Sequence, residues 1–537
     1  MKYFKTVLLL WNVDKISCTS WRSYFSFFQG EKAANSELFK GFSTKKKWKR
    51  TSQVVQVILS SFLLFTSLLP AALQAQDVLY SAYDKYDFRG DDYAVVGMTG
   101  GNLYTFINSP GNAILNAYDD SMNKVATVLL DFFPEKIYQT VFISYPDKII
   151  VLYQALESNK VVQYAALLDA KGRLKGKPVQ LGETKTGIFG ATRTYFSSAV
   201  SENKKNILIY SASDKGNEVE FDGKWLDDNL TIVKRSRASF RMDNRVQHGE
   251  LNLGNDGVVY MAAYNTTGNL NYADQYLVLS LAPGANKFDA KELPLDDKFA
   301  ISGYMKVDNV NRRLYFGGFY SDKKNGSYNG IIYAAYDIAA GTFISNKLIP
   351  FDEKLILAAG ARHRNHAFDN YQVKQLIVKN DGGFVLVSEV EFVTTRSNYT
   401  PGLGYYSYYS PYMTTTVREY HYDDIMAISY NKDGVRDWNS IIPKQQYSQE
   451  DGGVFSSYAL LNTGGTLAFL FNDFNVAHSR IQLAALSADG KMDIHSFTAE
   501  GNDYPDWLPR YGKQVAAREL IVPCFHKKQI CFAKVVF

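Results

Sequence analysis

A strand-and-turn pattern that repeats down the chain constrains the fold more than any other feature of this sequence. Residues 140–181, TVFISYPDKIIVLYQAL followed by VVQYAALLDAKGRLKGKPVQL, read as strand, tight turn, strand, variable connection, strand, Asp-x-x-Gly turn, strand. The pattern recurs at 202–213, 254–295, 310–351, 379–443 and 462–497, with a less regular first copy through YAVVGMTGGNLYTFIN and AILNAYDDSMNKVATVLLDF. Alternating or wholly apolar runs bounded by Asn, Asp and Gly are the mark of half-buried and fully buried strands. A four-stranded meander cannot bury both faces alone, so such units must pack face to face, and radial packing makes a β-propeller. An array of β-sandwiches would show blocks of about 100 residues instead. The expectation is therefore an all-β propeller of seven four-stranded blades, with eight as the alternative. The segment RELIVPCFHKKQICFAKVVF (518–537) matches a single hairpin. Paired with the N-terminal strands, it would place both ends in one blade and close the ring without a free edge.

The formal charge of +5 at first suggests a nucleic-acid or acidic-membrane partner, but it is unevenly distributed. KKKWKR (45–50) precedes an apolar stretch, Val57 to Leu69, that ends in PAALQAQD. A basic cluster, an apolar stretch and a small residue before polar ones describe a secretory signal peptide. The stretch is shorter than the roughly 20 residues a bilayer-crossing helix needs, which favours cleavage after Ala75 over an uncleaved anchor. No Cys follows it to take a lipid. Residues 1–75, an over-long N-terminus plus signal peptide, are thus expected to be removed, leaving 76–537 as one propeller domain. That leader holds 11 Lys and Arg against 3 Asp and Glu, so the remainder has 48 basic and 51 acidic residues, a net of −3. Nucleic acid is not an expected partner, and a membrane only through an uncleaved leader. Export places the domain in the periplasm, at the cell surface or outside the cell. Two cysteines remain, Cys524 and Cys531. A two-residue turn at Lys527-Lys528 would set them opposite each other on a hairpin, so they are either a disulfide or two buried thiols.

With strands a to d numbered from the axis outward, the a–b and c–d turns share one face of the ring and the b–c and d–a connections the other. The a–b turns (PDK, ENKKN, GNDG, KNDGG, NTGG) and c–d turns (DAKG, NKDG, SADG) are short and rich in turn formers, hence structural. The b–c and d–a connections are expected to be long and irregular in every unit and to differ between units, so a binding surface belongs there. The longest, between Phe392 and Asp424, reads as a loop carrying Tyr399, Tyr405, Tyr406, Tyr408, Tyr409, Tyr412, Tyr420 and Tyr422. Tyrosine offers flat, rigid area with a polar tip, suited to protein or sugar. The preceding connection carries Arg362, His363, Arg364 and His366, a set able to hold an anion. Arg245 and His248 form a weaker set of the same kind, beside Arg241.

No Gly-x-Ser-x-Gly, phosphate loop, His-Glu-x-x-His or spaced Cys/His pattern occurs, so neither a cofactor nor a metal is expected. The turn Asp433-Gly434 followed by Trp438 in NKDGVRDW resembles the Gly-to-Trp docking motif of quinoprotein-like propellers. That resemblance implies a Trp packed between blades; it covers one unit and implies no activity. Asn229, Asn265, Asn325 and Asn398 each begin an Asn-x-Ser/Thr triplet. The leader is bacterial in style, so the chain reads as an exported bacterial propeller. Its expected function is non-enzymatic binding of a protein or carbohydrate on the b–c and d–a face. The competing readings are a polysaccharide hydrolase or lyase at the channel mouth and a structural envelope component.

Overall fold

The computed structural model describes residues 77–537 except 89, 135–136, 186–194, 244, 266–271, 360–367, 402–411, 475–479 and 499–504. The leader, 1–75, lies outside the described residues. Seven four-stranded antiparallel sheets follow one another at 92–129, 137–185, 197–241, 246–292, 299–350, 371–449 and 458–498. An eighth is made from both ends of the described chain. Its core is the hairpin of Glu519–His526 and Gln529–Val536. Asp77–Tyr80 and Asp84–Lys85 flank this hairpin on one side, Asp506–Trp507 and Lys513–Ala516 on the other. In the first pairing Asp77 faces Val536 and Tyr80 faces Ala533.

The protein is an eight-bladed all-β propeller, which corrects the expected seven. The first unit has four strands of its own: Asp92–Thr99, Asn102–Ser109, Asn112–Tyr118 and Lys124–Leu129. It has no vacancy for the terminal hairpin, which is the centre of an eighth sheet.

Burial follows position in the blade. Strand b of blade 2, KIIVLYQALE, is buried at seven consecutive residues because a neighbouring sheet covers each face. Strand d of blade 1, KVATVL, is almost wholly open to solvent. Eight apolar clusters each join two consecutive sheets. One unites Phe106 and Leu115 of blade 1 with Ile149 and Val151 of blade 2. Another joins Leu483 of blade 7 to Val522 and Cys531 of blade 8, and a third joins Ile521 and Phe532 of blade 8 to Leu103 and Tyr118 of blade 1. Each large apolar side chain so buried contributes about 1.5–3 kcal/mol.

The c–d turns of blades 1, 2, 3 and 6 share one construction. Asp119, Asp169, Asp227 and Asn431 accept backbone N–H bonds from the residues two and four further on. Three residues on, Met122, Gly172, Leu230 and Gly434 take positive φ. In blade 6 the strand after this turn carries Trp438, whose indole N–H donates to Ala488 O of blade 7 at 2.9 Å. Gly490 lies against the ring, so the Trp docks one blade on the next. The b–c connections are less uniform than expected. In blades 1 to 3 they are two-residue turns, Pro110-Gly111, Ser158-Asn159 and Gly216-Asn217, and the long ones are confined to blades 4 to 7. Lys527-Lys528 is the two-residue turn of blade 8. It sets Cys524 directly opposite Cys531, both buried and both thiols in the structure.

Gly490 has φ +79°, and a Cβ there would sit 2.5 Å from Trp438 Cγ. Gly490→Ala should therefore cost about 1–3 kcal/mol, read as a lower urea midpoint with an unchanged slope.

Candidate functional site

The most unusual polar constellation sits where blade 6 projects beyond its neighbours. The segment read as a Tyr-rich loop is mostly strand: Phe384–Pro401 pairs with Tyr412–Tyr430 from Phe384↔Tyr430 out to Pro401↔Tyr412. Arg436–Gln449 adds a third strand as far as Glu419↔Gln449. This corrects the loop assignment, and the physical reason is plain in hindsight. VTTRSNYT and TTTVREYHY are Thr-, Val- and Tyr-rich, and such residues fit a pleated surface. Tyr422 is buried at the base of this ribbon and Tyr420 is half-buried.

Below the ribbon lies a buried ion pair. Glu389 is completely enclosed, as is the Lys444 side chain but for 1% of its area, and Lys444 Nζ is 2.9 Å from Glu389 Oε1. The approach is close enough for charge attraction but not aligned as a hydrogen bond. The ammonium instead donates to Tyr422 O at 2.7 Å and Gln446 Oε1 at 3.0 Å. Ser457 Oγ donates to Glu389 Oε2 at 2.7 Å. Gln446 also accepts from Ser457 N and donates to Asn472 O, tying in blade 7. Burial pulls the Lys444 pKa down against the opposing pull of Glu389, Asp423 and Asp424. Burial and the nearby Glu389 push the Tyr458 phenol well up.

Nearer the surface, Lys374 pairs with Glu391 and lies 3.9 Å from Glu389. Tyr422 donates to Glu391 Oε1 at 2.9 Å, and the Arg510 guanidinium of blade 8 stacks 4.4 Å from the Tyr422 ring centroid. Burial would raise the Glu391 pKa, but Lys374, Tyr422 and Arg510 together hold it below the ordinary range. Each of these carboxylates has an ammonium within 4 Å, so the arrangement is an ionic anchor.

One face of the ribbon above the anchor is aromatic. His421 stacks on Phe392 with ring centroids 4.4 Å apart and planes 8° apart, and Tyr447 lies 5.1 Å from His421. Glu419 locks the row: Tyr447 donates to it at 2.8 Å, Thr394 at 3.1 Å, and Arg396 lies 3.3 Å away. These bonds, with the Arg396 and His421 charges, lower its pKa. Tyr447 remains 44% exposed.

The predicted site residues fall in three groups. Arg362, His363, Arg364, His366, Tyr405, Tyr406, Tyr408 and Tyr409 lie outside the described residues. Tyr412 ends the ribbon strand opposite Pro401. Arg245 is exposed between blades 3 and 4, whereas His248 is engaged, its Nδ1 2.6 Å from Asp214 Oδ1 of blade 3. Asn265, of the Asn-x-Ser/Thr triplets, is buried and accepts from Gln275 N. No motif in the sequence marks Glu389, Lys444, Lys374, Glu391 or Arg510. The available signal is the pair Glu389 and Glu391 in the largely apolar strand FVLVSEVEF. Among the described residues no group of His, Cys, Asp and Glu is arranged to hold a metal.

No protein-family model matches the chain, and no curated protein matches its sequence. Among solved structures, prolyl oligopeptidase B from Galerina marginata, bound to a 35mer substrate, is similar at 11% identity and TM-score 0.38. The match covers 90% of this chain and 61% of that one, so this chain spans less than two thirds of that protein. Dihydro-heme d1 dehydrogenase NirN is 13% identical over 86% of this chain and 72% of its own, with TM-score 0.36. The AfRom2 CNH domain is 10% identical over 86% and 99%, also at 0.36. None of these likenesses bears on chemistry.

Removing one partner of the enclosed pair leaves the other charge buried and uncompensated. Lys444→Met should cost about 3–5 kcal/mol in urea unfolding, and Glu389→Leu added to it should recover most of that loss.

Proposed function

We propose that the chain is an exported, non-enzymatic propeller that binds a protein or glycan partner on its b–c and d–a face. The observation that carries this reading is the three-stranded ribbon of blade 6, which presents Phe392, His421 and Tyr447 in a row above a buried ionic anchor. Rigid aromatics on a fixed platform supply contact area at low ordering cost. Tyr405, Tyr406, Tyr408 and Tyr409, between the two long strands in sequence, with Arg362, His363, Arg364 and His366 in the connection entering blade 6, would complete the surface. The composite eighth blade, with pairing at Asp77–Tyr80 on one side and an apolar cluster on either face, supports a ring closed by the terminal hairpin.

The test is binding to a panel of soluble polysaccharides, by affinity electrophoresis, and to envelope proteins of the producing cell, by co-purification with the wild-type chain. His421→Ala with Tyr447→Ala should weaken capture of the identified partner at least tenfold while leaving the thermal midpoint within a few degrees. Undiminished capture by that double variant overturns the assignment.

Export carries its own check at Cys524 and Cys531. Protein taken unreduced from an oxidising compartment should show no titratable thiol after unfolding, because the cross-strand register brings the two sulfurs together. Two thiols would rule out the bridge.

A further inference from the structure

A cavity opens at the other end of the ring from the ribbon, between the inner strand of blade 8 and the inner strands and a–b turns of blades 1, 2 and 3. It encloses about 710 Å³, within the range of small-molecule sites. Its wall is mostly apolar side chain and bare backbone, including Met98, Val141, Ile143 and Val515 and the run from Gly97 to Gly101. Gly97 has φ +124° beside a register shift, and a Cβ there would meet Ser144 Oγ at 2.6 Å. Peptide backbone rather than side chain therefore forms that wall.

Two lysines enter this cavity. Lys513, on the interrupted inner strand of blade 8, donates to Val95 O at 3.2 Å and Val96 O at 3.0 Å. Lys204 comes from the a–b turn of blade 3 and donates to Ser144 O at 2.7 Å, its Nζ 5.8 Å from the Tyr145 ring centroid. Lys204 has φ 57°, a conformation that Gly or Asn adopts more readily. Both ammonium groups thus rest on neutral carbonyls with donor capacity to spare, since each carries three N–H bonds. Among the described residues neither has a carboxylate within ion-pair distance. Glu202 also lines the cavity, but its carboxylate accepts from Asn309 Nδ2 at 2.8 Å. Lys204 and Lys513 are both open to solvent at the mouth, yet protein packed around the Lys513 stem, and then repulsion by Lys204, lower the Lys513 pKa. Thr99, buried in the same wall, has a hydroxyl with no hydrogen-bond partner.

We propose that this cavity binds a small organic acid, its carboxylate shared by Lys204 and Lys513 and its apolar body laid against Met98, Val141, Ile143 and Val515. The carboxylate supplies the direct ion-pair partner that neither ammonium has, and the walls discriminate against an anion that is polar all over. The site is independent of the ribbon, which projects from the opposite face.

Calorimetric titration of the full chain with hexanoate, benzoate and inorganic phosphate tests this. Saturable binding of the two carboxylates is expected, at least tenfold tighter than phosphate and weakening as salt is raised. Lys204→Asn, which suits the positive φ, and Lys513→Met should each lower that affinity at least tenfold. His421→Ala with Tyr447→Ala should leave it unchanged. If Lys513→Met unfolds because the Val95 and Val96 carbonyls lose their donor, Lys204→Asn alone decides. The proposal is overturned if neither carboxylate saturates, if phosphate binds as tightly, or if Lys204→Asn binds like the wild type.

Discussion

Every blade depends on its neighbours for burial, because a four-stranded sheet with two apolar faces is stable only between two others. The eight clusters show this directly, since each draws its residues from two consecutive sheets. Charges on strands b and c therefore belong where a strand opens to solvent, as Lys215, Glu220 and Asp222 do in blade 3. Glu389 on a b strand and Lys444 on a d strand depart from this, since both are enclosed, and their mutual attraction is what makes the breach tolerable. The breach occurs at register shifts between Glu389 and Glu391 and between Asp423 and Ile425, where blade 6 outgrows its neighbours. There the ladder is already disturbed, and backbone and side-chain groups are turned toward one another.

The repeat itself was legible because period-two apolar runs and Asp-x-x-Gly turns are local signals. Asp169, Asp227 and Asn431 fold their own turns with no help from the rest of the chain. The blade count was not legible, because blade 8 joins strands more than four hundred residues apart and neither half alone shows a unit. The Gly434-to-Trp438 pattern did foretell a Trp packed between blades, and Trp438 docks on the turn at Ala488–Gly490. The ribbon is illegible for the opposite reason. The Tyr, Gly and Pro in the middle of the segment have the composition of a loop, while the pairing is settled by the Thr and Val of the flanks. The Glu389–Lys444 anchor needed the register of three strands, and composition contains no register.

The two faces of the ring are built to different ends. On the a–b side, Asn203 N donates to Asn255 Oδ1 at 3.0 Å and Asn255 N to Asn309 Oδ1 at 2.8 Å. Asn309 then returns to Glu202. This chain of amides ties the turns of blades 3, 4 and 5 across the mouth and leaves the cavity beside it with fixed walls. The b–c side is tied differently, by Tyr272 of blade 4 donating to Gly326 O of blade 5 at 2.5 Å and by Tyr328 N of blade 5 donating to Asp369 Oδ1, at the entry to blade 6, at 3.1 Å, and its long connections are confined to blades 4 to 7.

A two-stranded hairpin projecting into water is marginal on its own. The ribbon avoids this in two ways, through the third strand that runs out to Gln449 and through the enclosed ion pair beneath it. Glu419 does locally what the anchor does below, holding Thr394, Arg396 and Tyr447 around one carboxylate so that the rings of Phe392, His421 and Tyr447 stay in line. Side chains already fixed in the free protein lose little freedom when a partner arrives, and that saving appears as affinity. A buried charge pair seldom adds net stability over an apolar pair of the same size. Its use here is positional: it sets the place and direction in which one blade leaves an otherwise uniform ring.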